Sequence, residues 1–131
     1  PLAAMYGCAD LIGKPYRLGA DGTDDDGAID CIHMVYVALH DMGIPTPAFQ
    51  ASWYEAPRRQ IARDLLTWGR RIPKASYDGD ILLLQQDRPI FAVVWSQGAL
   101  YISPRPEQVA WCRIEVLPTY HAFRCCHSSV S

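Results

Sequence analysis

From Gly79 onward, apolar residues come in short runs of strand length separated by turn residues. A chain patterned this way folds into a sheet. Ile81–Leu84 is followed by a polar turn at 85–89, and Ile90–Trp95 by the hairpin signal Ser96-Gln97-Gly98. A third run at 99–102 ends before Pro104 and Pro106, and 109–117 and 120–126 form two more. Connections this short join antiparallel neighbours.

Before that point the spacing is helical. Residues 2–12 place Met5, Cys8, Ala9 and Ile12 on one face, with Gly13 as a stop. The apolar stretch at 29–39 repeats the pattern through Cys31, Val35, Ala38, Leu39 and Met42, and Gly43-Ile44-Pro45 closes it. After an irregular segment holding Phe49, Trp53 and Tyr54, Pro57 opens a third helix. Its apolar side is Ile61, Leu65 and Trp68, its wet side Arg58, Arg59 and Arg63, and Gly69 ends it. Helices first and strands later predict an α+β domain covering 1–131, with the Cys31 helix packed on one face of an antiparallel sheet.

Cys31 is the first chemically distinctive residue. Asp30 precedes the helix and is suited to cap it, accepting hydrogen bonds from the first unpaired N–H groups. Cys31 then occupies the first turn, where the helix dipole favours a thiolate nucleophile. The alternative is a buried structural cysteine, a common fate for this residue type.

Composition removes several function classes. The 131 residues carry a net charge of −2, which gives no electrostatic case for nucleic acid or an anionic membrane. No apolar run has the length of a membrane span. The first residues lack the basic and apolar regions of a secretory signal, so synthesis in a cytoplasm is expected. Five cysteines, at 8, 31, 112, 125 and 126, form neither a disulfide framework nor a zinc pattern. Adjacent Cys125 and Cys126 in a strand point to opposite faces. Asp24, Asp25 and Asp26 lack the alternation of a calcium loop and suit a solvated turn. No metal or cofactor is expected.

The ordered motifs resemble the NlpC family of papain-like cysteine peptidases, which cleave peptide stems of bacterial peptidoglycan. Gly13-Lys14-Pro15-Tyr16 through Gly19 resembles the family's G-x-P-Y-x-x-G opening. Asp30-Cys31 with its apolar helix resembles D-C-S-G-L-V, and Gly43-Ile44-Pro45 the G-I-x-x-P that follows. Gly79-Asp80 and Ile81–Leu84 resemble the G-D-L-V-F-F strand. Ser52-Trp53 and Ala122-Phe123-Arg124 resemble features of the phage-tail branch. The resemblance implies a papain-like fold, Cys31 as nucleophile, Tyr16 as an oxyanion-site hydroxyl and Asp30 beside the nucleophile. It also implies peptidoglycan stem peptides or phage-tail proteins as partners, and a virion-tail or prophage setting.

One part of that pattern is missing. The family's catalytic histidine falls at Phe91, and the polar residue that orients it falls near Ile102, with Ser103 the nearby polar candidate. Phenylalanine can neither accept the thiol proton nor return it to a leaving amine. His33 lies two positions after Cys31, about 200° around the helix, and is expected to face away. His40 is further along the helix, and His127 lies near the end of the sequence. His121, in or before the last strand, is the histidine a sheet could bring closest. Two readings follow: a degenerate, non-cleaving domain, or a cysteine hydrolase using Cys31 with His121 as an unconventional base.

Overall fold

The computed structural model describes residues 7–48, 51–85 and 90–126. The described residues are α+β, with three α-helices and a six-stranded, wholly antiparallel sheet. Helix α1 is Cys8–Leu11, α2 is Cys31–Asp41 and α3 is Arg58–Leu65. The strands are β1 Gly69–Ile72, β2 Ile81–Leu84, β3 Ile90–Trp95, β4 Gly98–Pro104, β5 Glu107–Cys112 and β6 Tyr120–Cys125. Their order across the sheet is β1-β6-β2-β3-β4-β5.

The α2 helix forms where its end signals are complete. Asp30 is extended, and its Oδ1 accepts from the His33 N–H at 2.8 Å. At the other end Gly43 takes φ 72°, a left-handed conformation that suits glycine. The Gly43 N–H donates to His40 O, and the Ile44 N–H to Leu39 O at 2.9 Å, satisfying two orphan carbonyls. Met34, Val35, Ala38 and Leu39 are buried against the sheet, where α2 meets β3.

Side chains alternate across the sheet. Leu83, Phe91, Val93, Leu100, Val109 and Phe123 join the helix-side core. Leu82, Leu84, Ala92, Val94, Ala99 and Ala122 form a second apolar cluster on the other face. The β3–β4 hairpin closes through Ser96 and Gln97, both at positive φ, a two-residue turn that matches the strand twist.

Several boundaries depart from the sequence reading; Pro104, expected to stop the strand at 99–102, is instead the last residue of β4 and pairs with Glu107. The first helix ends at Leu11 with Ile12 as its cap, and residues 2–6 lie outside the described residues, as do Phe49 and His127. The strand expected at 109–117 starts earlier, stops at Cys112, and gives way to a 3-10 turn at Ile114–Val116. Gly69 does not stop a helix. The helix is already over at Leu65, and Gly69 opens β1 opposite Cys125. A Cβ there would lie 2.2 Å from the Arg124 carbonyl oxygen, so the residue is glycine because a neighbouring backbone is too close. Gly69→Ala is therefore expected to destabilise by about 1–3 kcal/mol through overpacking, read as a lower urea midpoint.

Candidate functional site

Backbone pairing brings Tyr16 to Cys31. The segment at 13–16 runs along the edge of β5: Gly13 N–H donates to Val109 O, Val109 N–H to Lys14 O, and Tyr16 N–H to Glu107 O. On its other side, the Ile29 N–H donates to Pro15 O at 2.9 Å. Tyr16 is thus held between the sheet edge and the residues leading into α2.

Asp30 ties the glycine loop to that junction. It is 1% exposed, and its carboxylate accepts from His33 N–H and from Gly19 N–H at 3.0 Å. The Tyr54 hydroxyl donates to Oδ2 at 2.5 Å, and His33 Nδ1 lies 2.8 Å from Oδ1. Burial pushes the Asp30 pKa up, but the bonds from His33 and Tyr54 outweigh it and hold the carboxyl below its usual range. The same contact raises the His33 pKa against the opposing effect of burial. Arg17 pairs with Asp24 and Asp26, so those carboxylates belong to a solvated loop, as composition suggested.

Cys31 is the first residue of α2 and 9% exposed. It lies with Tyr16 at the junction of two cavities. The wider, about 800 Å3, runs toward Tyr101, Ile102, Ser103, Glu107 and Leu117. The narrower, about 60 Å3, is lined by Asp30, Trp53, Tyr54 and Phe91 among others. Trp53 and Phe91 meet edge to face, with ring centroids 5.5 Å apart. The β3–β4 pairing runs from Trp95 opposite Gly98 to Val93 opposite Leu100; beyond it, Phe91 lines the narrow cavity and Ile102 the wide one. Both side chains belong to the helix side of the sheet, so the wall facing Cys31 there is apolar.

His121 is elsewhere. It pairs with Leu83, and Leu83 pairs with Phe91, so two inter-strand steps, roughly 10 Å, separate His121 from the Phe91 position. Its ring nitrogens lie against Arg71 and Gln85, and it lines neither Cys31 cavity. Ser103 does line the wide cavity, but its hydroxyl donates to the Pro106 and Gln108 carbonyls. The structure therefore brings together Cys31, Tyr16, Asp30 and Phe91, with Ile102 and Ser103 on the wide side.

Sequence reading missed Tyr54, Tyr101 and Glu107 as parts of the site. The Trp53-Tyr54 pair was visible as an aromatic cluster in an irregular segment. Nothing local marked Tyr101 or Glu107, which reach the site through the β4–β5 pairing.

Among the described residues no group of three or more His, Cys, Asp or Glu is placed to hold a metal, and no helix is long and apolar enough to cross a membrane. In comparisons with known proteins, no family model and no curated protein matches the chain.

Proposed function

We propose that this chain is a degenerate papain-like domain of the NlpC type, whose Cys31 cleft holds peptide-like ligands of cell-wall or phage-tail origin without cutting them. The observation that carries this reading is the apolar wall beside Cys31. Thiolate catalysis needs a base near the sulfur and a polar group to orient that base. On the NlpC resemblance those two positions fall at Phe91 and Ile102, both apolar, while Cys31 and Tyr16 still border open space. The order of elements supports the ancestry: a cysteine at a helix N-terminus, an antiparallel sheet behind it, and Gly79-Asp80 leading into β2. The alternative hydrolase needs a base for Cys31, and His121 stands two strands from the Phe91 position.

Two measurements test the reading. A peptidoglycan stem tetrapeptide added to labelled protein should shift NMR signals of Tyr16, Cys31 and Ile102. Shifts confined to residues far from Cys31 would remove the binding assignment. Phe91→His places an imidazole on the sheet without an orienting partner. Alkylation of Cys31 by iodoacetamide should then begin at lower pH than in the unaltered protein, with no peptide turnover, because an imidazolium stabilises a thiolate. An unchanged alkylation profile would mean that position 91 does not serve Cys31.

A further inference from the structure

The narrow lobe of the cleft combines an aromatic lining with the carboxylate that caps α2. Its walls include Tyr16, Trp53, Tyr54 and Phe91, and a buried carboxylate, Asp30, borders the same space. Trp53 and Phe91 touch edge to face, with ring centroids 5.5 Å apart and planes inclined at 60°, so they form one continuous aromatic wall rather than a stack. Asp30 and Glu107 are the charged side chains lining the two lobes among the described residues, and Asp30 also faces His33, whose Nδ1 lies 2.8 Å from its Oδ1. Aromatic faces attract cations through their quadrupoles, and the attraction grows where water is excluded. A nearby carboxylate adds to it.

We propose that this aromatic lobe is a seat for an alkylammonium group, with the rest of the ligand lying in the wide lobe past Cys31. It rests on the cleft being a binding site rather than a cutting one. The size agrees. About 60 Å3 accommodates roughly four to six water-sized groups at about 10–15 Å3 each, enough for the four heavy atoms of a trimethylammonium head. The wide lobe, about 800 Å3 and mostly apolar in its lining, suits the body of a peptide or small organic chain. The geometry also gives Phe91 a role: where an imidazole would compete with a ligand cation, a benzene ring favours it.

The probe is choline, whose charge does not change with pH, set against its neutral isostere 3,3-dimethylbutan-1-ol. Titrations followed by NMR at pH 8.5 should show choline shifting Tyr16, Trp53 and Tyr54 signals, with the neutral isostere bound roughly tenfold more weakly. Phe91→Leu keeps an apolar wall and removes the ring; it should weaken choline roughly tenfold and leave the isostere unchanged. Tyr16→Leu, at a partly exposed position, repeats the test where folding is less at stake. Equal binding of the two probes, or no shifts with choline, overturns the inference. Choline failing while the stem tetrapeptide still binds removes this inference alone. Choline binding while the tetrapeptide does not removes the cell-wall reading and leaves the ammonium seat.

Discussion

Arg124→Ala is expected to lower stability by about 3–5 kcal/mol, because it leaves a buried carboxylate without its counter-charge. Asp80 is 1% exposed, at the entry to β2. Arg124 on β6 grips it with both ends of the guanidinium, Nε to Oδ1 and Nη2 to Oδ2, each at 2.8 Å. The pair raises the Arg124 pKa further, so the guanidinium stays charged. The backbone N–H groups of Ser76 and Tyr77 also donate to Asp80 at 3.0 Å, and Tyr77 lies under the guanidinium, 4.1 Å from ring centroid to Cζ. Those two N–H bonds survive the substitution, which places the expected loss toward the lower end of the range. Asp80→Asn combined with Arg124→Ala removes the orphaned charge and should recover part of it. Urea unfolding of the single and double variants measures both. A loss below about 1 kcal/mol for Arg124→Ala would show the pair to be a surface contact.

Asp30→Ala should cost about 2–4 kcal/mol. One part is the lost cap on α2, about 1 kcal/mol. The remainder comes from the Gly19 N–H and the Tyr54 hydroxyl, left without their acceptor in a half-buried place. The contact with His33 adds a pH dependence whose sign follows from the two shifts. His33 is raised in the fold, so its contribution is complete below the ordinary value of 6.5 and is lost as pH rises through the raised one. Asp30 is lowered, so its contribution is present above 3.8 and is lost as pH falls through the depressed value. The stability gap between the unaltered protein and Asp30→Asn should therefore be larger at pH 5.5 than at pH 8.5. Urea midpoints at the two pH values check this, and a gap that widens toward pH 8.5 would contradict the assigned pair.

The features legible in the sequence were those with complete local signals. Asp30 before an apolar face, glycine two positions past Asp41, and the turn residues Ser96-Gln97-Gly98 between β3 and β4 each carry their own chemistry. Strand β1 had none. Its four residues include Arg70 and Arg71, with no apolar alternation, and it exists because β6 offers a pairing edge. The expected strand at 109–117 was overextended because Ile114, Val116 and Leu117 continue an apolar run with no glycine or proline before Pro118. In the fold, Ile114 and Leu117 turn to pack on the second apolar cluster instead. The site divides the same way. Cys31, Asp30 and Tyr16 lie close along the chain and share one junction. The wide lobe's far wall is assembled from β4, β5 and the turn after them, which only pairing brings together. His33 was expected to face away from Cys31, and its engagement with Asp30 came from reach across one helical turn.

On the proposed reading, an intact Cys31 does not cut. The direct measurement is incubation of the unaltered protein and Cys31→Ser with peptidoglycan stem peptides, followed by mass spectrometry of the products over a day at neutral pH. The degenerate reading predicts that both give only the background of the uncatalysed peptide. Cleavage by the unaltered protein that disappears in Cys31→Ser would contradict it, and would require a base for Cys31 other than the residue at position 91.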